Sequence, residues 1–133
     1  MNSSLKYICI APLLKLFINY LHFVVGGWAA GTHYVDRWVR ADFLAPKHVL
    51  ESITQGRNSP AHFQRVTLYT LSYGLDSSSL QPVLENEHVK EFEGNSDQDS
   101  KVIHQIFIYA RCVQLNIKAH VIHPSLRWGL KGY

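Results

Sequence analysis

The segment Tyr7–Gly31 is the feature that most constrains the fold, because it is strongly apolar and contains no acidic residue. As an α-helix it would extend about 37 Å, enough to cross a hydrocarbon core of about 30 Å. Its polar residues Lys15, Asn19 and His22 are spaced i, i+4 and i+7, so a helix would place them on one narrow stripe. We therefore predict an N-terminal apolar helix whose polar stripe contacts a protein partner.

This helix is a candidate membrane anchor. Its large apolar side chains favour insertion by about −3 to −5 kcal/mol in total, whereas one central lysine costs about 2.5 to 3.5 kcal/mol. Insertion is therefore marginal for an isolated helix and favourable for one that packs against another helix. Gly27 and Gly31 form a G-x-x-x-G pattern, which lets two membrane helices approach closely. We predict that Lys15, Asn19, His22, Gly27 and Gly31 form the helix-packing interface.

Aromatic and basic residues follow the apolar segment. Tryptophan and tyrosine are enriched where a spanning helix leaves the membrane, and arginines collect on the cytoplasmic side. The sequence therefore predicts a membrane location with five interface anchors: Trp28, Tyr34, Arg37, Trp38 and Arg40. On this interpretation the chain is a small, membrane-anchored, non-catalytic accessory subunit of a larger assembly.

Two alternatives remain for the same segment. Pro12 is typical of a helix start and Gly26–Gly27 of a helix end, which leaves residues 13–25 as a helix too short to span a bilayer. This alternative describes a soluble single-domain α+β binding protein with a buried core helix. Otherwise, the segment is a targeting peptide that is removed by cleavage.

The remainder of the chain is typical of a small α+β domain, so we divide the chain into residues 1–35 and 36–133. Val113–Val121 alternates strictly between apolar and polar residues, which predicts a half-buried strand. Phe63–Tyr73 is rich in Val, Thr, Tyr and Leu and also predicts a strand. Ala45–Gly56 predicts a short helix with a proline at its start.

Two segments are ambiguous. Ile103–Cys112 has an apolar helical face, which we slightly favour; as a strand it needs a bulge or turn near Cys112, because its apolar parity there is opposite to that of the next strand. Leu84–Phe92 is compatible with a short helix or a strand. Residues 94–100 form a polar loop.

Charge and composition make several chemistries improbable. The net charge of +3 conceals an acidic loop at residues 85–100 between two basic parts of the chain, and no run of Lys or Arg exists, so nucleic-acid binding is unlikely. The loop resembles the first ligands of a calcium site but lacks the required glycine and final glutamate. Cys112 has no neighbouring catalytic pattern, and His120 and His123 would point to opposite faces of a strand. We predict no metal and no cofactor, and we favour a non-catalytic protein over an enzyme.

Overall fold

Every regular element in the described part of the chain is a β-strand. The computed structural model describes residues 38–56 and 63–133 completely and, before them, the backbone of three short stretches. The strands are β1 (Tyr7–Cys9), β2 (Lys15–Leu16), β3 (Leu21–Ala29), β4 (Trp38–Gln55), β5 (Arg65–Gly74), β6 (Gln81–Pro82), β7 (Leu84–Glu85), β8 (His88–Val89), β9 (Phe92–Glu93), β10 (Val102–Val121) and β11 (Ser125–Gly132).

The two long strands β4 and β10 generate a β-sandwich. The hydrogen-bonded order is β2-β3-β11-β4-β10-β5-β6, with β1 parallel to β4 and β9 antiparallel to β5. Residues 38–42 of β4 pair with 112–116 of β10, which also pairs with β5; residues 49–55 of β4 pair with β11. Each long strand therefore contributes one half to each layer, as strands do when they bend from one sheet into the other.

Irregular backbone marks the bend in both long strands. Leu44 in β4 and Phe107 in β10 have positive φ angles of 67° and 54°. The pairing of β10 with β4 shifts register between Gln105 and Ile108, and again between Ala110 and Cys112. Such bulges increase local twist and let a strand turn a corner without ending.

A buried polar chain joins the two layers inside an apolar core. The Trp128 indole Nε1 donates to Ser52 Oγ at 3.0 Å, and Ser52 Oγ lies 3.1 Å from the Tyr69 hydroxyl. The Tyr69 ring stacks on Phe92 with centroids 5.2 Å apart. Burial raises the pKa of Tyr69 to about 12. The largest fully buried side chains surround this chain: Trp128, Tyr69, Phe92, Leu71, Leu115, Leu126, Leu130, Val39 and Val49.

The predicted N-terminal apolar helix and the α+β fold class are wrong. Most of the proposed core-helix alternative, residues 13–25, overlaps β2 and β3, and β3 pairs with β11 over residues 21–29. Lys15 and His22 are cross-strand neighbours in the β2–β3 pair rather than members of a helical stripe. A continuous apolar run is typical of a strand inside a sheet as well as of a helix, which is why this pattern misled.

The membrane-anchor interpretation fails with the helix. Within the described residues, no helix is long and apolar enough to cross a membrane. Gly27 and Trp28 lie in β3, where a G-x-x-x-G helix contact does not apply. Asn19, Gly31, Tyr34 and Arg37 lie outside the described residues. The division of the chain at residue 35 stays a prediction.

The two predicted helices of the second half are also strands. Ala45–Gly56 belongs almost entirely to β4, with Pro46 at the exposed bend where its missing N–H removes no buried ladder bond. Ile103–Cys112 belongs to β10, and the register shift beside Cys112 is the irregularity that the strand alternative required. The strands predicted over 63–73 and 113–121 are confirmed by β5 and β10. In the ambiguous segment 84–92, β7 and β8 form a hairpin around Asn86 and Glu87, which both have positive φ.

Candidate functional site

One end of the sandwich gathers several strand termini. Here β4 ends at Gln55, β5 begins at Arg65 and β11 begins at Ser125. Both ends of β10 lie here as well, because its first residue pairs with the end of β4 and its last residue pairs with the start of β5. The loops 94–101 and 122–124 and residues 63–64 join these strands. We call this end of the sandwich, with those loops, the loop end. Loops that a rigid scaffold positions are common places for binding residues.

Asn95 fixes the loop 94–101 to the core. The side chain is 2% exposed, and its Nδ2 donates to Thr54 O at 3.0 Å and to Ser100 O at 2.8 Å. Its backbone N–H donates to Val66 O at 2.9 Å. The amide therefore joins β4, the start of β5 and the far end of its own loop.

Gly94 allows this close approach. Its N–H donates to Thr67 O at 2.8 Å, and a Cβ at this position would collide with the backbone carbonyl of Val66. The absent side chain therefore lets the loop lie directly against β5. A larger residue would move the loop away from the strand.

Asp97 organises the exposed part of the loop. Its Oδ1 accepts the N–H groups of Asp99 at 3.0 Å and Ser100 at 2.7 Å, and its Oδ2 accepts the Ser100 hydroxyl at 2.7 Å. These bonds stabilise the carboxylate, so the Ser100 side chain foremost holds the pKa of Asp97 below its usual value of 3.8. The charge of Arg65 acts in the same direction.

Arg127 fixes the other side of the loop. Its Nε donates to Gly56 O at 2.8 Å, and its Nη2 donates to Gln98 O at 2.9 Å and to Asp99 Oδ1 at 3.1 Å. The arginine side chain is 18% exposed, whereas that of Asp99 is 89% exposed. Gln55 Nε2 also donates to Asp99 O at 2.7 Å. The planar guanidinium therefore joins β4, β11 and the loop in a fixed geometry.

The rigid loop borders a groove of about 540 Å³, whose lining comprises Phe63, Arg65 and residues 96–100. The Phe63 ring is 61% exposed. Arg65 Nε is buried and has no hydrogen-bond partner among the described residues. A ring, a guanidinium and an exposed carboxylate thus converge on one concave surface, which suits a polar ligand that has one apolar face.

A second apolar side chain protrudes beside the groove. Ile122 is 73% exposed and has a φ of 66°. Because Arg65 pairs with Val121, residues 63–64 and 122–123 extend side by side from β5 and β10. Ser125 Oγ, just beyond, donates to Gln64 Oε1 at 2.9 Å.

Trp38 and Arg40, two of the predicted interface anchors, lie elsewhere in the sandwich. The Arg40 side chain is 8% exposed, stacks 4.7 Å from the Trp38 ring centroid and donates to Gln114 Oε1. Gln114 in turn donates to Asn116 within the same sheet. The structure thus separates these two residues from the loop end. Their assigned role stays a prediction, as do the roles assigned to Lys15, Asn19, His22, Gly27, Gly31, Trp28, Tyr34 and Arg37.

The groups considered for catalysis or metal binding do not converge. Cys112 is 1% exposed, and burial raises the pKa of its thiol. No cluster of three or more His, Cys, Asp or Glu side chains suited to a metal occurs in residues 38–56 and 63–133. Phe63 and Arg65, which line the groove, were assigned by sequence only to one side of a strand. The sequence Arg57-Asn58-Ser59-Pro60 before Phe63 is typical of a turn, and it was the available signal that a strand begins after it.

Comparison with known proteins identifies the family. The model of the F5/8 type C domain family matches residues 22–130 of this chain. Bovine (Bos taurus) lactadherin is 31% identical over 109 residues, which cover 79% of this chain and 26% of lactadherin. Recombinant discoidin II of Dictyostelium discoideum is 29% identical with a TM-score of 0.70, covering 80% of this chain and 41% of that chain. This chain therefore spans about a quarter of lactadherin and two fifths of discoidin II.

More distant structures share the fold alone. One is a CBM32 module of Clostridium perfringens, solved in complex with GalNAc-β-1,3-galactose; it is 10% identical, has a TM-score of 0.63 and covers 86% of this chain and 96% of that chain. The family match and the strands found in place of the predicted helix show that the expectation of a membrane-anchored accessory subunit is wrong, and the alternative of a binding protein fits better. The prediction that the chain binds a partner is supported, without the kind of partner, whereas binding of that partner through an N-terminal helix is not supported. With its β-sandwich and a family match over residues 22–130, the chain belongs to the F5/8 type C domain family.

Proposed function

We propose that this chain is a glycan-binding domain that holds a sugar in the groove at the loop end. Family membership supports a binding role, since domains of this class and the related CBM32 modules bind carbohydrates, phospholipids or proteins. The observation that carries the proposal is the groove itself, which is lined by both the exposed Phe63 ring and the Arg65 side chain.

The groove matches the chemistry of a sugar ring. One face of a pyranose presents C–H groups, which pack on an aromatic ring such as Phe63, while the hydroxyls at its edge need donors and acceptors. The Arg65 guanidinium supplies donors only, and the exposed Asp99 carboxylate supplies acceptors. Hydrogen bonds to charged groups of this kind are about twice as strong as neutral ones. The cavity of about 540 Å³ lies within the usual range for small-molecule sites.

The loop that borders the groove is held in place before any ligand arrives. Asn95 secures it from the core, Asp97 from within and Arg127 from the neighbouring strand. Association otherwise costs about 0.5–1.5 kcal/mol for each flexible side chain that becomes immobilised. A loop fixed by its own hydrogen bonds avoids much of this cost, which favours recognition of a small, weakly held ligand.

Calorimetric titration of the full chain with galactose and N-acetylgalactosamine tests this proposal. These probes are the two sugars of the disaccharide in the CBM32 complex. We expect Phe63→Ala to weaken binding about tenfold, equivalent to about 1.4 kcal/mol. The matched control is Phe107→Ala, because Phe107 is 70% exposed but lies at the bend of β10, away from the loop end.

The two phenylalanine variants must behave differently. Equal affinities of the wild type and Phe63→Ala would show that the ring does not contact the sugar. An equal loss in Phe107→Ala would show that the effect is not specific to the groove. Arg65→Gln should also weaken binding, because an amide cannot reproduce the guanidinium donors.

A second candidate function, contact with a phospholipid surface, rests on the two protruding apolar side chains. Phe63 and Ile122 are 61% and 73% exposed, and both lie just beyond the paired residues Arg65 and Val121, before β5 begins and after β10 ends. Such side chains can insert at a membrane interface while the cation Arg65 meets anionic headgroups. This candidate concerns contact with a membrane surface only.

Cosedimentation with phosphatidylserine and phosphatidylcholine vesicles separates the two candidates. Ile122→Asn removes one apolar tip, and asparagine tolerates the positive φ of this position. If the lipid candidate holds, this variant should lose vesicle binding and keep sugar binding. Vesicle binding that is unchanged in both Ile122→Asn and Phe63→Ala would contradict it.

A further inference from the structure

A second concave site lies on the outer face of the sandwich, beside the loop end but outside the groove. Alternate residues of three neighbouring strands share this face: 51, 53 and 55 of β4, with 101, 103 and 105 toward β10 and 127, 129 and 131 on β11. A cavity of about 230 Å³ opens among them. We call it the outer pocket; its lining comprises Ile53, Gln55, Lys101, Ile103, Arg127, Trp128, Gly129 and Lys131.

The floor of the outer pocket is apolar. Ile53 is 9% exposed, whereas its register partner Ile103 on β10 is 54% exposed. On the other side Ile53 pairs with Gly129, which contributes no side chain. The missing side chain at Gly129 lies next to Ile53, and Arg127 and Lys131 flank it along β11. It leaves a depression in an otherwise regular sheet face. Ile103 is thus a large apolar residue exposed at the edge of a concave site.

The rim of the outer pocket is cationic. Lys101, Arg127 and Lys131 line it, and no carboxylate does so among the described residues. Arg127 already binds Asp99, but neither lysine has a carboxylate within 4 Å in the described part of the chain. This remains so for Lys131 although Glu51 is its register partner. Two ammonium groups are therefore available to an anion.

From this arrangement we propose that the outer pocket binds an anionic sugar, one ring that carries a sulfate or carboxylate group. The charged substituent contacts Lys101, which lies two residues from Ile103 on the same face, and Arg127 and Lys131 on β11 add to the positive potential around it. The C–H face of the ring packs on Ile103. The cavity is smaller than the 300–1,000 Å³ typical of drug-sized ligands, which limits it to about one ring with its substituent. The proposal holds whether or not the loop-end groove binds a glycan.

The placement favours a soluble anion over a membrane. The pocket lies on the side of the sheet, among residues of β4, β10 and β11, rather than at the loop end. The apolar tips suited to a bilayer, Phe63 and Ile122, stand instead at the loop end. A planar membrane that contacted those tips would not reach into the depression on the side of the sandwich.

Amide chemical shifts of the full chain locate the ligand directly. We expect the amide chemical shifts of Gly129 and Ile103 to change with added glucose 6-sulfate until the change saturates. Glucose at the same concentrations should leave these chemical shifts unchanged. The double variant Lys101→Gln/Lys131→Gln should weaken this binding at least tenfold. The control Lys118→Gln removes an exposed lysine of β10 that does not line the pocket, and should change binding less than about twofold.

Several outcomes would overturn the proposal. Unchanged affinity in the double variant would show that the lysines are not the ligands, and equal binding of glucose would show that charge is not recognised. Inorganic sulfate that binds as tightly as glucose 6-sulfate would show that no ring is recognised. Shifts confined to residues 63–65 and 96–100 would place the anion in the groove instead.

Two further measurements complete the test. Ile103→Glu places a carboxylate at the pocket edge and should abolish binding of the sulfated sugar by charge repulsion; unaltered binding would contradict the site. Urea unfolding of each variant shows whether it is folded. The proposal would also be overturned if the wild type did not bind glucose 6-sulfate and the double lysine variant lost binding to phosphatidylserine vesicles. That result would mean that the lysines contact lipid headgroups rather than a sugar.

Discussion

Replacement of Asn95 by alanine should destabilise the sandwich strongly, because this side chain connects the loop end to the core. The change removes donations at 3.0 Å to Thr54 O and at 2.8 Å to Ser100 O. Loss of the buried bond to Thr54 O costs about 1–3 kcal/mol because it leaves that carbonyl without this donor, and loss of the bond to the exposed Ser100 costs about 0.5–1.5 kcal/mol. Asn95 Oδ1 is itself buried without a partner among the described residues, so its removal offsets part of this loss. We expect a net destabilisation of about 2–3 kcal/mol.

Urea unfolding measures this value, since the midpoint falls by the free-energy loss divided by the m-value. With an m-value of about 2 kcal/mol/M, Asn95→Ala should lower the midpoint by about 1–1.5 M. The matched control is Asn116→Ala, because Asn116 is only partly buried and donates over 3.2 and 3.3 Å to Ser72 and Thr70. That variant should lose about 1 kcal/mol. Equal losses in the two variants would refute the inference that Asn95 secures the loop.

Two further predictions concern the same loop. Gly94→Ala should cost about 2 kcal/mol or more in urea unfolding, because its Cβ would collide with the Val66 carbonyl, whereas exposed Ser96→Ala should change stability by less than about 0.5 kcal/mol; similar effects would contradict this. The hydrogen bonds from Ser100 lower the pKa of Asp97 in the folded state. The contribution of Asp97 to folding stability is therefore present above pH 3.8 and is lost as the pH falls through this lower folded-state pKa. The difference in urea midpoint between wild type and Asp97→Ala should therefore be constant from about pH 5 to 7 and shrink below about pH 3.8; a decline between pH 5 and 7 would contradict the assignment.

The sequence predicted strands correctly where side-chain alternation was undisturbed. In the sequence Val113–Val121 keeps one parity across its whole length, and it forms the half of β10 that pairs with β5, although that pairing shifts register between Ile117 and His120. The preceding half of the same strand was predicted as a helix, because the exposed Ile103 and Phe107 combine with the inward-facing Ile106 and Ala110 into spacings of three and four. The parity of the buried residues then changes near Cys112. A change of parity within one strand can bring apolar residues to spacings of three and four, which is the signature of a helix.

The site was less accessible to sequence than the strands. Phe63 and the loop 96–100 are more than 30 residues apart, and they meet only because β5 and β10 begin at the same side of the sandwich. The acidic composition of the loop suggested a solvated segment. Asn95 and Asp97 instead use their side chains to hold backbone groups in place. No local pattern distinguishes such an Asx residue from one that merely faces water.

Arg127 is the residue through which the two candidate sites affect each other. Its side chain lines the outer pocket, while its guanidinium holds Gln98 and Asp99 of the loop that borders the groove. An anion in the outer pocket would compete with Asp99 for this guanidinium and so alter the loop. Any such coupling must be reciprocal, since each ligand would change the affinity of the other by the same factor. If both candidate sites bind their ligands, this shared arginine would couple them, so that filling one site would change the affinity of the other.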